Sequence, residues 1–269
     1  MNTTEKTISV NGLNISYHES GASSTPVIFL HGFPFDKSAW EPQMEVIGSQ
    51  YRMINYDLRG FGNSDADAQA FSMDLFADDL IHFMDAMQIP TAIVCGLSMG
   101  GYIILNAVDR YPERFKAIIL CDTQCVADTP EGVEKRFKTI EQINANGLNE
   151  FTEGFLKNVF YAETFTRKPE TVEQIRNIIL STPVTTVTNT LKALAERRET
   201  CSILNKIQIP TLIICGKEDK ITPPEKAQFL HENIADSELH IIENAGHLSN
   251  MEEAEIFNDR LKNFLDALS

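Results

Sequence analysis

The stretch Cys95–Gly101, CGLSMGG, places a Gly-x-Ser-x-Gly pattern directly after a short apolar run and directly before a segment of helical spacing. In this context the pattern predicts a sharp strand-to-helix turn that points the helix N-terminus at the serine hydroxyl. Gly96 and Gly100 lack the Cβ atoms that would collide in such a turn. We therefore predict that Ser98 is a nucleophile. The alternative is a glycine-rich turn that only packs the helix on the strand.

Other short apolar runs lie on both sides of this turn, separated by segments in which apolar residues recur at helical spacing. The runs do not alternate strictly, which is typical of strands that are buried on both faces of a sheet. They are Pro26–Leu30, Arg52–Tyr56, Thr91–Cys95, Lys116–Cys121, Pro210–Cys215 and Leu239–Ile242. Ahead of them, Thr7–Val10 and Leu13–Glu19 alternate around Asn11-Gly12, which predicts an antiparallel hairpin. We predict an α/β fold with a mostly parallel eight-stranded sheet, flanked by helices and edged by the hairpin.

Residues 125–205 contain no convincing strand, and this interval is far longer than an ordinary loop. Four amphipathic stripes fill it and predict helices. The stripes are Val133/Phe137/Ile140, Phe151/Phe155/Val159, Val172/Ile175/Ile179 and Val184/Val187/Leu191/Leu194. We predict a core domain made of residues 1–124 and 206–269, with residues 125–205 inserted as a helical cap. Because the insertion leaves the sheet at the edge that carries Ser98, we expect the cap to roof the pocket.

A serine nucleophile needs a base, and the six histidines of the chain are the candidates. His247 follows the last predicted strand and precedes the last predicted helix, so it belongs to the same sheet edge as Ser98. The base in turn needs a carboxylate that orients it. Asp219, which follows the run Pro210–Cys215, is our candidate. Asp122, which follows the preceding run, is the alternative.

Negative charge that develops on a carbonyl oxygen needs N–H donors that are held in place. The N–H of Met99, directly after the nucleophile, is one candidate. The other is the N–H of Phe33, in the loop after the third predicted strand, where Gly32 permits a close approach. His31 opens that loop, and we expect it to brace the loop through hydrogen bonds. A purely structural turn is the alternative for His31-Gly32.

The composition is that of a globular protein, with 269 residues of which 43% are hydrophobic. Its 38 acidic and 23 basic residues give a net charge of −15, which argues against nucleic acid or an anionic membrane as a partner. Met1–Gly12 shows no apolar run behind a basic start, so we expect a cytoplasmic location. The five cysteines are expected to be free thiols, because three of them end apolar runs. None of them has zinc-site spacing, so we predict no metal site. Chemistry on a serine nucleophile requires no organic cofactor, and we predict none.

Five motifs occur together, in one order, along nearly the whole chain. They are LHGFP (Leu30–Pro34), YDLRGFGNSD (Tyr56–Asp65), GLSMGG (Gly96–Gly101), GKED (Gly216–Asp219) and NAGH (Asn244–His247). With these motifs the sequence resembles the α/β-hydrolase superfamily, and within it the cofactor-free carboxylesterases, enol-lactone hydrolases and perhydrolases. The resemblance implies the roles given above to Ser98, Asp219, His247, Phe33 and Met99.

Two residues narrow the choice among the branches of this superfamily. Ser98 stands where haloalkane dehalogenases and epoxide hydrolases use an aspartate. Tyr102 departs from the additional glycine that is common after SMGG in perhydrolases, which weakens the case for peroxide chemistry. The resemblance also implies that Asp57–Ser64 is a structural loop near the site.

We predict a serine hydrolase that cleaves carboxylic esters through an acyl-enzyme intermediate, with a small-molecule ester or lactone as its partner. A lactonase or enol-lactone hydrolase and a perhydrolase-like enzyme are the alternatives within the superfamily. Two alternatives do not involve catalysis. In one, the fold is a small-molecule receptor that binds a ligand without turnover; in the other, the apolar stripes of the cap are a partner-binding surface.

Phenylalanines of the cap suggest that the substrates are small and mainly neutral, because a carboxylate buried among rings is costly. These residues are Phe137, Phe151, Phe155, Phe160 and Phe165. An arginine turned into the chamber, Arg136, Arg197 or Arg198, would instead suit an anionic enol-lactone.

Overall fold

Eight strands form one sheet at the centre of the computed structural model, which describes residues 4–23, 25–48 and 50–268. The strands are β1 (Lys6–Val10), β2 (Leu13–Ser20), β3 (Pro26–Leu30), β4 (Arg52–Tyr56), β5 (Ala92–Leu97), β6 (Phe115–Cys121), β7 (Thr211–Gly216) and β8 (Ser237–Ile242). Across the sheet they lie in the order β1-β2-β4-β3-β5-β6-β7-β8. The pairs β1–β2 and β2–β4 are antiparallel, and all other pairs are parallel. The predicted mostly parallel sheet with a hairpin at its edge is thus confirmed.

The central strand β3 shows why these strands lack an alternating pattern. Val27 and Phe29 contribute to one hydrophobic core, whereas Ile28 and Leu30 contribute to another. Because successive side chains of a strand point to opposite faces, the two cores lie on the two sides of the sheet. A strand covered on both faces needs an apolar residue at every position, and its sequence is therefore a continuous apolar run.

Helices cover both faces of the sheet. They are α1 (Glu41–Ile47), α2 (Met73–Ala86), α3 (Met99–Arg110), α4 (Pro130–Asn146), α5 (Asn149–Val159), α6 (Thr164–Arg167), α7 (Pro169–Ser181), α8 (Val184–Ala195), α9 (Pro224–Asn233), α10 (Ser249–Glu252) and α11 (Ala254–Ala267). Helices α2 and α3 pack on one face, and α1 and α11 on the other. Ser72 caps α2, because its hydroxyl accepts a hydrogen bond of 3.0 Å from the N–H of Leu75. Within the described residues, none of the helices is long and apolar enough to cross a membrane.

The helices α4 to α8 lie between β6 and β7 and are called the insertion below. Strands β6 and β7 are paired neighbours, so the chain leaves the sheet and returns to it at adjacent positions. The stripe of α7 is buried, and so is that of α8 except for Val184, which is 36% exposed. In the stripe of α4, Val133 and Ile140 are half-buried and Phe137 is 40% exposed, so Phe137 is wrong as a packing residue. The division of the chain into a core of residues 1–124 and 206–269 and a cap of residues 125–205 stays a prediction.

A disulfide joins the two ends of the insertion, which corrects the prediction that all cysteines are free. Cys125 and Cys201 are separated by 76 positions in sequence, yet their Cα atoms are 4.9 Å apart. The N–H of Thr200 donates a hydrogen bond of 2.8 Å to the carbonyl of Cys125, so the chain segments that enter and leave the insertion lie side by side. Sequence spacing does not show this proximity, because the return of the chain depends on the pairing of β6 with β7. The other three cysteines are free and buried: Cys95, Cys121 and Cys215.

Removing this disulfide should lower the stability of the protein. A cross-link that closes a long loop restricts the unfolded chain, and its loss typically costs about 2 to 4 kcal/mol. We expect the double variant Cys125→Ser/Cys201→Ser to unfold at a lower urea concentration than the wild type. Its free energy of unfolding should be lower by about 2 to 4 kcal/mol. Reductant should destabilise the wild type to a similar extent and leave the double variant unchanged. Five reactive thiols in the unreduced, denatured protein would contradict the assignment, which predicts three.

Candidate active site

Ser98 lies in a strained turn between β5 and α3, as the Gly-x-Ser-x-Gly pattern predicts. Its φ of 53° and ψ of −109° are uncommon for a residue with a side chain. The N–H of Ser98 donates to the carbonyl of Cys121 at 2.8 Å, and the hydroxyl of Thr123 donates to the carbonyl of Ser98 at 2.7 Å. These bonds to the end of β6 hold the turn, so the serine hydroxyl is presented at the N-terminus of α3.

Two glycines permit the close approach of α3 to the sheet. A Cβ on Gly96 would lie 2.4 Å from the carbonyl carbon of Gly100, and a Cβ on Gly100 would lie 2.5 Å from the carbonyl oxygen of Leu30. Neither distance leaves room for a carbon atom, and both obstructing groups are backbone. The turn therefore requires glycine at both positions.

Three side chains from three different loops form a continuous hydrogen-bonded chain. His247 Nε2 lies 2.8 Å from Ser98 Oγ, and His247 Nδ1 lies 2.8 Å from Asp219 Oδ2. Asp219 also accepts hydrogen bonds from the N–H groups of Ile221 and Thr222, at 2.8 and 2.9 Å. The structure thus brings together the serine, the histidine and the carboxylate that the sequence analysis selected.

Within these three hydrogen-bonded side chains, neighbouring charges oppose the effect of burial on the pKa of each titratable group. Burial disfavours the imidazolium, but the charge and hydrogen bond of Asp219 outweigh it and raise the pKa of His247. Burial disfavours the carboxylate of Asp219 as well, but His247 and the donors of Thr222 lower the pKa of Asp219. Asp219 is therefore suited to remain ionised and to stabilise a protonated His247.

Asp122, the alternative acid, has another set of partners. Its carboxylate accepts hydrogen bonds from the N–H of Gly216 at 2.7 Å and from the hydroxyl of Ser249 at 2.5 Å. Burial and the nearby charge of Asp219 raise the pKa of Asp122 well above its usual value. These contacts tie the end of β6 to the end of β7 and to α10, and the orienting bond to the imidazole comes from Asp219.

The two N–H groups expected to bind a developing oxyanion border the same cavity as the serine. Phe33, Ser98, Met99 and His247 all line this cavity, which has a volume of about 380 Å³. Among residues 4–23, 25–48 and 50–268, the N–H groups of Phe33 and Met99 have no acceptor. They are therefore free to donate to a ligand in the cavity.

His31 braces the Phe33 loop from beneath. Its Nδ1 donates to the carbonyl of Gly32 at 2.8 Å, and its Nε2 accepts from the N–H of Leu58 at 3.0 Å. Asp57 accepts from the N–H groups of Lys37 and Asn63, at 2.8 and 2.9 Å. The segment after β4 therefore supports the loop that carries Phe33, in agreement with the structural role implied for Asp57–Ser64.

Aromatic rings and cationic side chains share the cavity wall. Phe151 and Phe155 line it, as the sequence analysis expected for some of the phenylalanines, whereas Phe160 is buried in the core. The side chains of Lys135, Arg136 and Lys220 also line it, and so does Asp128. The sequence patterns did not indicate the two lysines. Helical spacing does not show which side of α4, and thus of Lys135, faces the cavity, and Lys220 lies in the loop between β7 and α9, which has no periodic pattern.

Thr222 is a second residue that the sequence analysis missed. Its hydroxyl donates to Asp219 Oδ2 at 2.8 Å and lies 3.2 Å from His247 Nδ1. The spacing Asp-x-x-Thr was the available signal, because an aspartate side chain often accepts the N–H groups two and three positions ahead.

One group of possible metal ligands occurs in the described part of the chain. Oxygen or sulfur atoms of Asp122, Cys215 and Asp219 lie within 4.8 Å of one another. Both carboxylates are already engaged, Asp122 by Gly216 and Ser249 and Asp219 by His247. We therefore interpret these residues as groups that position His247 and the strand ends around it, and we assign no ion to them.

Comparisons with known proteins agree with this geometry. The chain is 29% identical over 259 residues to the 3-oxoadipate enol-lactonase 2 of Acinetobacter baylyi, which covers 94% of this chain and 93% of that protein. A solved thermophilic esterase from Thermogutta terrifontis superimposes with a TM-score of 0.93 at 31% identity, over 98% of this chain and 99% of the other. The enol-lactonase from Burkholderia xenovorans superimposes with a TM-score of 0.90 at 25% identity, over 97% of this chain and 100% of the other. Residues 25–254 match the family model described as the alpha/beta hydrolase fold, and the protein belongs to this family of hydrolases.

Proposed function

We propose that the protein hydrolyses carboxylic esters through an acyl-enzyme intermediate formed on Ser98. The observation that carries this proposal is the continuous hydrogen-bonded chain from Ser98 through His247 to Asp219, which opens on a cavity that Phe33 and Met99 also line. A nucleophile, a base with its orienting carboxylate and an oxyanion site are the groups that acyl transfer needs.

In the proposed reaction, Ser98 Oγ attacks the carbonyl carbon of the ester while its proton passes to His247 Nε2. The negative charge that develops on the carbonyl oxygen is bound by the N–H groups of Phe33 and Met99. His247 then gives the proton to the departing alcohol, and the acyl group remains on Ser98. Water, deprotonated by His247, attacks the acyl-enzyme; His247 then returns the proton to Ser98 Oγ as its bond to the acyl carbon breaks, and the carboxylic acid is released.

Removal of the nucleophile tests the proposal directly. We expect Ser98→Ala to lower ester hydrolysis by about a thousandfold or more with an unchanged circular dichroism spectrum, because the small hydroxyl makes no packing contribution that alanine lacks. A fluorophosphonate probe should form an Oγ–P bond with Ser98 and release fluoride in the wild type only. A small-molecule receptor without turnover would bind ligands but show neither hydrolysis nor labelling.

The two buried aspartates should differ in their effect on turnover. We expect Asp219→Asn to lower kcat by about 10² to 10⁴, because the amide no longer holds the imidazole in the required tautomer. Asp122→Asn keeps an acceptor for Gly216 and should stay within about tenfold of the wild type. Matched kinetics on one aryl ester provide the comparison, and a reversed ranking would assign the orienting role to Asp122.

A second candidate function, hydrolysis of lactones that carry a carboxylate, is favoured by the charges of the cavity. Arg136 and Arg197 both pair with Asp128, and Arg197 does so at 2.8 Å. Within the described part of the chain, Lys135 and Lys220 have no acidic partner. An otherwise acidic protein thus has a cavity with excess positive charge, which attracts anions. Relatives named as enol-lactonases support the same candidate, and neutral esters remain the alternative that the phenylalanines suggest.

Substrate charge can be tested with matched esters and lactones that differ by one free carboxylate. If the lysines bind it, Lys135→Met and Lys220→Met should each lower kcat/KM for the carboxylate-bearing substrate by about fivefold, the effect of about 1 kcal/mol. The neutral substrate should be unaffected. Lys138→Met on the same helix is the control, because Lys138 is exposed and pairs with Glu134. Equal effects on both substrates would leave neutral esters as the preferred class.

The cytoplasmic location and a perhydrolase-like side activity stay proposals. Disulfides are uncommon in the reducing cytosol, so the thiol state of Cys125 and Cys201 in intact cells bears on the location. Hydrogen peroxide with a short carboxylic acid, assayed on the pure protein, addresses peroxide chemistry.

A further inference from the structure

Glu252, the last residue of α10, is a buried carboxylate close to residues 243–248, the loop between β8 and α10 that carries His247 and is called the histidine loop below. Its side chain is 1% exposed, and within residues 4–23, 25–48 and 50–268 it pairs with no lysine, arginine or histidine. One oxygen, Oε1, accepts the N–H of Gly246 at 2.8 Å and the N–H of Leu248 at 3.4 Å. These two residues flank His247, so a single oxygen holds the backbone on both sides of the proposed base.

The other oxygen of Glu252 binds the insertion. Oε2 accepts the N–H of Tyr161 at 2.8 Å and the hydroxyl of Thr164 at 2.5 Å. Both belong to residues 159–164, which run from the last residue of α5 to the first residue of α6 and are called the connector below. One carboxylate therefore joins the connector to the histidine loop.

Further contacts between the connector and the histidine loop leave little freedom. The N–H of His247 donates to the carbonyl of Val159 at 2.7 Å. A Cβ on Gly246 would lie 2.6 Å from that same carbonyl oxygen and 2.7 Å from the N–H nitrogen of Tyr161. The backbones of the connector and of the histidine loop are thus in direct contact next to His247.

A buried carboxylate without a cation is unfavourable unless donors replace its lost hydration. Four donors surround Glu252, and all of them belong to the histidine loop or the connector. Burial raises the pKa of Glu252, and the hydrogen bonds from these four donors act in the opposite direction, so the carboxylate depends on both segments for its stabilisation.

We propose that Glu252 is a positioning residue, which holds the imidazole of His247 in its reactive orientation and sets that orientation together with the placement of the insertion. The inference rests on the proposed function, because it concerns the reactivity of Ser98 through His247. It extends the chain of groups behind the nucleophile from the core into the insertion.

The charge of Glu252 adds a second, separable effect. The acidic groups that act on His247 are Asp219, Asp122 and Glu252, and each raises the pKa of the imidazole. Removing the charge of Glu252 therefore lowers the pKa of His247, and the acidic limb of the pH–rate profile should move to lower pH. A side chain that only fills space would not move this limb.

The test is Glu252→Gln, which keeps the size of the side chain but turns one acceptor into an NH₂ group facing N–H donors. We expect the rate of fluorophosphonate labelling of Ser98 and kcat to fall at least tenfold, with KM within twofold of the wild type. The acidic limb of the labelling rate should move to lower pH. Glu253→Gln is the matched control, because it removes the adjacent negative charge, which pairs with Arg167 instead of the histidine loop. It should leave the labelling rate within twofold of the wild type.

Two further variants distinguish the contacts of Glu252 with the connector from its contacts with the histidine loop. They also keep the proposal testable if Glu252→Gln does not fold. Thr164→Val removes one donor of the connector and keeps the charge, so labelling should slow by two- to fivefold with the acidic limb unmoved. Glu252→Asp withdraws the carboxylate from both sets of donors and should slow labelling more than Thr164→Val does. Labelling within twofold of the wild type in folded Glu252→Gln, or in both of the other variants, would overturn the inference. Absence of labelling in the wild type would instead refute the proposed function.

Discussion

The close approach of α3 to the sheet is the constraint on which the site depends. Gly96 and Gly100 nearly touch, and no side chain fits between the helix and the strands at that point. The chain can turn from β5 into α3 only through the strained conformation of Ser98, which buried hydrogen bonds from the end of β6 maintain. The strain has a chemical result, because it lifts the hydroxyl clear of the backbone and in front of a helix N-terminus.

Parallel strands then bring the partners of the serine to it. The carboxyl ends of parallel strands lie at one edge of a sheet, and Ser98, Asp122, Asp219 and His247 each follow one of four successive strands, β5 to β8. A separation of 149 positions between the serine and the histidine thereby closes to 2.8 Å. The loops only adjust distances that the topology has already made short.

This origin explains which features the sequence allowed us to predict. Strands buried on both faces, the glycine-flanked serine and the acid and base after successive strands are local patterns whose meaning follows from the topology. The disulfide of Cys125 with Cys201 and the bonds of Glu252 to the connector depend on where a long insertion returns and packs, which no local pattern records. Phe137 shows the same limit, because its stripe indicates a helix but does not show how much of that helix the core covers.

The carboxylates around His247 show how one buried site keeps its charges apart. Asp219 and Asp122 lie in one cluster, and two ionised carboxylates at this distance in a buried site repel each other strongly. The donors of Thr222 and the imidazole favour ionisation of Asp219, whereas burial and the charge of Asp219 raise the pKa of Asp122. Asp122 accepts hydrogen bonds from the N–H of Gly216 and the hydroxyl of Ser249, so it links the ends of two strands to α10, whereas Asp219 faces the imidazole. The division of roles between the two aspartates therefore follows from their surroundings, since their side chains are chemically identical.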